Sequence, residues 1–206
     1  MSKAIQPADN TEKTPHSVEL RFGYEDKETP DVKHRHVRLG KRPTAADFMK
    51  SAEECSGSDI QFSLGLAQSA IVEFGQLTMP VPLTVLLSLN QIDREKLIKT
   101  YFSFLTETGS DGGEILENGK VRLGFGVERD GKKNVDVEFT RLLDGYAEIE
   151  IEREAKTTWE ANALRIAKEI TSPSDLTLAD IESLDVDDFT LLRNAEEQWL
   201  NSFRGD

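Results

Sequence analysis

Cysteine is almost missing from this chain: Cys55 is alone among 206 residues. A lone thiol closes no internal disulfide, and no Cys/His set has four-ligand spacing, so a disulfide-stapled scaffold and a zinc finger are both excluded. Positive charge is also scarce, with 25 Lys and Arg against 38 Asp and Glu and a net charge of −13. Such a surface repels a phosphate backbone, so nucleic acid is not expected as a partner. Long apolar runs are lacking too. The most apolar stretch, Met79 to Leu89, is interrupted by Pro80, Pro82, Thr84 and Ser88 and is far shorter than the roughly 20 residues that a bilayer span takes. Residues Met1 to His16 are polar and read as a flexible tail, not as a signal peptide or membrane anchor.

Catalytic chemistry is thinly supplied. The three histidines are His16, His34 and His36. His34 and His36 would share a strand face but have no further ligands at recognisable spacing, so they are expected to be exposed strand residues and no metal is predicted. Gly124-Phe125-Gly126 is followed three residues later by Arg129 instead of glycine, and no Walker-type Gly-Lys-Ser/Thr occurs, so no nucleotide cofactor is expected. Cys55 sits between Glu53-Glu54 and a Ser-Gly loop, where neighbouring anions disfavour the thiolate. Asp185, Asp187 and Asp188 lack the glycine and closing glutamate of a calcium loop. The residues predict no catalytic site and no cofactor.

What is present is a unit used twice. Val18-Glu19-Leu20-Arg21-Phe22-Gly23 returns as Val121-Arg122-Leu123-Gly124-Phe125-Gly126, and the same offset, 121 − 18 = 103, carries Arg38-Leu39 onto Arg141-Leu142. A shorter offset, 188 − 93 = 95, relates Ser88-Leu89 to Ser183-Leu184, Asp93 to Asp188, Leu97 to Leu192, Phe104 to Trp199 and Leu105 to Leu200. The division predicted is a tail over 1–16, a first module over 17–107, a linker over 108–113 and a second module over 114–206. The linker follows from the glycines and short polar residues of Thr108 to Gly113.

The expected fold class is α+β: two similar modules, each a short β-hairpin followed by three to four α-helices. Val18, Leu20 and Phe22 alternate, as do Val135, Val137 and Phe139, as strands with one buried face do. The second hairpin is predicted to turn at Arg129-Asp130-Gly131-Lys132. Thr44 with Asp47 marks a helix start running to about Glu54, and Ser58 caps a second helix carrying Ile60, Leu64, Ala67, Ile71 and Phe74. Trp159, Ala163, Ile166 and Ile170 repeat that helix. Tyr146 to Glu152 alternates like a strand but is assigned to helix by its register against the first unit. Asn90 and Asp185 are helix caps, and Asp93 and Asp188 are read as first-turn acids favoured by the helix dipole.

The segment Asp175 to Asp206 holds nine acids and two bases among Phe189, Leu192, Trp199, Leu200 and Phe203. It forms an acidic amphipathic end whose apolar stripe serves either as core or as a partner groove. Trp199, Leu200 and Phe203, with Phe102 and Phe104 in the first unit, are the candidate partner-binding residues.

The motif Arg42-Pro43-Thr44-Ala45-Ala46-Asp47-Phe48, followed by Leu89…Asp93…Leu97…Phe104-Leu105, resembles the tail assembly chaperones of Mu-like contractile-tailed phages. Leu176-Thr177-Leu178-Ala179-Asp180 through Asp188 repeats the closing part of that pattern. Gly145-Tyr146 stands where the first unit has Arg42-Pro43, and the chain is about twice a minimal family member. The resemblance implies a non-enzymatic factor of the infected cell's cytoplasm that holds the tape-measure protein, or another tail protein, soluble until the tail tube forms. A homo-oligomer is compatible with that role. Two other readings remain: a structural tail or baseplate component, and an acidic inhibitor of a host enzyme.

Overall fold

A computed structural model describes residues 16–27, 31–55, 57–110, 112–129 and 131–204. The expected tail, apart from His16, lies outside the described residues, as does Asp130 of the expected turn. The protein is α+β, and its elements recur in the same order. In the first module β1 (Ser17–Glu25) pairs antiparallel with β2 (Lys33–Leu39), which pairs with β3 (Ile71–Phe74). Helices α1 (Ala45–Glu54), α2 (Asp59–Ala70), α3 (Leu83–Ser88) and α4 (Gln91–Thr108) complete it. After 109–113 comes the short β4 (Glu114–Ile115). The second module then repeats the order with β5 (Lys120–Arg129), β6 (Lys132–Phe139), α5 (Gly145–Glu154), α6 (Thr158–Glu169), β7 (Ile170–Ser172), α7 (Leu178–Glu182) and α8 (Val186–Arg204).

Local chemistry sets the helix starts. Thr44 and Asp47 form a reciprocal capping box at α1, and Thr177 and Asp180 form another at α7. Ser58, Asn90, Asp144 and Thr157 each accept a first-turn N–H with their side chains, satisfying donors that have no partner within the helix. The ambiguous stretch from Tyr146 lies in α5, as its register against the first unit required.

The structure corrects several expectations. Ile71 and Phe74 belong to β3 and Ile170 to β7, so the helical spacing that included them runs past the true helix ends. Each hairpin is therefore extended by a third strand that follows its helix without a loop. The hairpins also differ in length. Leu39 pairs with Ile71 and Phe139 with Ile170, so the true offset at the second strand is 139 − 39 = 100, and Arg38-Leu39 does not match Arg141-Leu142. Gly40 and Lys41 donate to the Ala70 carbonyl just as Thr140 and Arg141 donate to that of Glu169. Leu142-Leu143, not Gly145-Tyr146, therefore stands in the place of Arg42-Pro43. Phe22, expected on the buried face, is exposed, because β1 slips register between Glu19 and Tyr24; β5 does the same between Arg122 and Val127. In each hairpin five steps along the first strand face two along its partner, and the odd excess of three residues breaks the alternation of facing.

Each module has its own core. Val18, Leu20, Val37, Leu64, Phe74, Leu86, Leu97 and Tyr101 are central to the first. Val121, Leu123, Val137, Phe139, Ile166, Ile181, Phe189 and Leu192 are central to the second, which also takes in Ala45 and Met49 from α1 of the first module. Among the described residues no helix is long and apolar enough to cross a membrane.

Candidate functional site

The five candidate partner-binding residues separate into two groups. On α4 the buried side chains are Asp93, Leu97, Tyr101 and Phe104, one stripe at helical spacing facing the sheet. Phe104 is thus a core residue, while Phe102, on the opposite side of the same turn, is exposed. On α8, Trp199 is buried, 5.8 Å from the Phe139 ring and edge-on to Phe203 at 5.3 Å. Leu200 packs partly buried against that core. The sequence left the stripe carrying Trp199 open between core and partner groove and gave Phe104 as a first-unit candidate; the structure places both in a core between helix and sheet. Phe203 stands exposed at the end of α8. Beside it a cleft of about 190 Å³ is lined by Ile115, Leu116, Ala195, Trp199 and Ser202.

The two sequence offsets meet at a single device. The Asp93 carboxylate accepts the backbone N–H groups of Arg21 at 2.7 Å, Phe22 at 3.0 Å and Gly23 at 2.9 Å. Asp188 accepts those of Gly124, Phe125 and Gly126 at 2.7, 2.9 and 2.8 Å. Each buried acid therefore fixes the bulge of its own hairpin to the start of the closing helix. Gly23 and Gly126 have φ of +74° and +81°, and a Cβ there would lie 2.6 Å from the His34 carbonyl oxygen or 2.7 Å from that of Asn134, which accounts for glycine at both. Burial would lift the Asp93 pKa, but the three amides and the Asn90 side chain outweigh it and hold the carboxyl below its usual range. The sequence reading found these acids and gave them only a helix-start role. The matching Arg/Gly-Phe-Gly segment was the available signal for the rest.

Arg42 joins the modules. Its Nε and Nη2 donate to the two Asp185 oxygens at 2.6 and 3.0 Å, and Nη2 also reaches Asp187. Nη1 donates to the Leu105 carbonyl at 2.9 Å and the Thr108 hydroxyl at 2.8 Å. The guanidinium carbon lies 4.7 Å from the Phe125 ring centroid, a cation–π distance. Burial opposes the Arg42 charge, but Asp185 and Asp187 more than offset it and raise its pKa. Alongside, the Ala45 N–H donates to the Leu184 carbonyl at 2.8 Å and the Val186 N–H to that of Pro43 at 3.1 Å. Phe48 stacks edge-on against Trp159 at 5.2 Å and meets Phe189 at 5.6 Å, with Arg193 over both Phe48 and Trp159. Asp185 and Asp187, considered in the sequence for a cation, are engaged by this arginine.

One titratable pair is unusual. Burial, then the proximity of Glu196, pushes Glu169 up to about 8; burial likewise raises Glu196. The two lie on α6 and α8, and the attraction of Arg165 opposes both shifts without cancelling them. The first module has Ala70 and Tyr101 at these positions, so the pair is not required by the module fold. Among the histidines, His36 is exposed beside Glu19, but His34 is buried, its Nδ1 accepting the Gln76 N–H at 3.2 Å. Expected at the surface, His34 is instead covered by the turn at Gly75. Cys55 closes α1 with its thiol toward the Ala52 carbonyl. Among the described residues no group of three or more His, Cys, Asp or Glu is placed to hold a metal ion. Compared with known families, curated proteins and solved structures, the chain matches none.

Proposed function

We propose that this chain is a tail assembly chaperone of the kind found in Mu-like contractile-tailed phages, a non-enzymatic partner that keeps the tape-measure protein soluble in the infected cell's cytoplasm. The observation that carries the reading is the exposure of Phe102 on α4 and Phe203 on α8, two large aromatic side chains on the outer sides of long helices in a chain of net charge −13. Exposed aromatics offer apolar purchase on an amphipathic helical client. The negative charge discourages non-specific aggregation of a loaded complex. The resemblance of the Arg42 to Phe48 and Leu89 to Leu105 motifs supplies the family.

Co-expression with the long helix-rich protein encoded beside it tests the reading. The expected result is co-purification of both and a soluble client, weakened in a Phe102→Ser/Phe203→Ser variant whose thermal melt is unchanged. A client that is equally insoluble with and without this chain overturns it. A structural tail component is the second reading, favoured by the built-in docking of one module on the next; it predicts the chain in purified virions, where a chaperone is absent.

A further inference from the structure

The junction between the modules is heterologous: an edge of the first module sits on a different surface of the second. Both modules possess both surfaces. The edge comprises the segment after the second strand and the next helix, Arg42-Pro43-Thr44 with Phe48 and Met49. The receiving surface is a groove lined by Phe125, Gly126, Lys133, Ser183 and Asp185. One junction uses one edge and one groove, so an edge on the second module and a groove on the first are left over. The remaining groove is lined by Phe22, Gly23, Lys33, Ser88 and Asn90, residue for residue the counterparts of the occupied one. The remaining edge is Leu142-Leu143-Asp144 with Glu148 and Ile149.

Exposed apolar side chains collect on these two leftover surfaces. On the first module they are Phe22, Ile60 and Ile92, the counterparts of Phe125, Trp159 and Asp187, all of which lie in the built junction. On the second they are Leu142 and Ile149, the counterparts of Arg42 and Met49. Their exposure runs from 46% for Ile149 to 55% for Ile60, whereas Met49 and Phe125 are buried or half-buried.

Two of the substitutions are matched across the gap. Where the built junction pairs Arg42 with Asp187, the leftover surfaces offer Leu142 and Ile92, an apolar pair in place of an ionic one. Where it pairs Phe48 with Phe189, they offer Glu148 and Arg94, an ionic pair in place of an aromatic one. Two other built pairs are not answered in this way: Arg42 with Asp185 becomes Leu142 with Asn90, and Phe48 with Trp159 becomes Glu148 with Ile60. The occupant is argued from the built junction itself, in which this chain already seats one such edge in one such groove.

We propose that a second copy of this chain docks head to tail, its Leu142-Leu143-Asp144 edge and α5 seating in the first-module groove around Phe22 and Ile92. Repeated contacts of this type produce a ring or an open filament of alternating modules. The proposal is independent of the chaperone reading, since it needs no client.

Sedimentation velocity of the purified full chain across a concentration series is the test. Wild type is expected to associate with rising concentration. Ile92→Asp and Leu142→Asp should each weaken association about ten-fold or more, ~1.4 kcal/mol per junction, with unchanged circular dichroism and melting. Mixed together, these two variants should form a dimer and stop, because one retains its edge and the other its groove. Ile92→Asp combined with Leu142→Arg, which rebuilds the ionic pair of the inner junction, should restore assembly. A wild-type chain that stays monomeric throughout overturns the proposal, as does self-association that neither single variant alters. Loss of client binding in these variants without any self-association would assign the surfaces to a client and equally overturn it.

Discussion

Replacing Asp93 with asparagine should cost far more than the loss of a helix-start acid. Oδ2 of Asp93 accepts from Phe22, Gly23 and the Asn90 side-chain amide, while Oδ1 accepts from Arg21. In its better orientation an asparagine keeps the three bonds at Oδ2 and turns its NH₂ toward the Arg21 N–H, leaving a buried donor facing a donor. An unmet buried donor costs ~1–3 kcal/mol, and loss of the charge weakens the remaining bonds by several tenths each, so about 3 kcal/mol is expected. At ~2–4 °C per kcal/mol for a chain of this size, the melting temperature should fall by ~6–12 °C. Asp188→Asn should behave alike, since it holds the same three amides in the second module. Asp180→Asn is the control: a half-buried capping-box acid whose removal is worth ~1 kcal/mol. Urea denaturation of the three variants is the assay. Equal losses for Asp93→Asn and Asp180→Asn would refute the bulge-fixing role. The acid limb gives a second readout. Because the Asp93 carboxyl is held below its unfolded range, its stabilisation is present above that range and is lost as pH falls through the folded value. Asp93→Asn should flatten this acid-side loss.

Two further outcomes follow from the same structure. Glu169 has its pKa raised on folding to about 8, so stability should decline as pH rises from the ordinary glutamate range through that value; Glu169→Gln should remove most of the decline in melts taken across it, and an unchanged slope would contradict the raised value. Arg42→Ala strands Asp185, whose side chain is only 9% exposed, and should cost ~2–4 kcal/mol while raising amide exchange in α1 and around Val186 more than in the β1–β2 hairpin; uniform exchange would mean the junction does not depend on this arginine.

Much of this architecture is legible in the residues because it is local. Thr44 with Asp47, Ser58 and Asn90 announce their helices through hydrogen bonds that span three residues, and the Val18 and Val121 segments repeat almost unchanged. Legibility fails where a decision is made at long range. Ile71 and Phe74 continue a helical spacing, and only the presence of β2 alongside converts them into a strand. Arg141-Leu142 imitates Arg38-Leu39 as a dipeptide, and the shortened hairpin becomes visible only through the pairing of Phe139 with Ile170. Phe104 and Trp199 carry an aromatic signal common to cores and interfaces, which burial alone separates. Arg42 stands in a readable motif, but its two carboxylate partners lie on the other module, beyond the reach of any pattern in neighbouring residues.

Ala45 and Met49 carry an implication for synthesis. They belong to a core whose remaining members are all encoded downstream of residue 113. During translation the N-terminal half can close its own sheet and helices as soon as they clear the ribosome, yet the outward side of α1 must wait, uncovered, until the C-terminal half has emerged. Separating the halves at 109–113 should accordingly yield fragments of unequal quality: an early one with a small apolar scar, and a late one missing part of its interior together with the lid over Trp159 and Phe189.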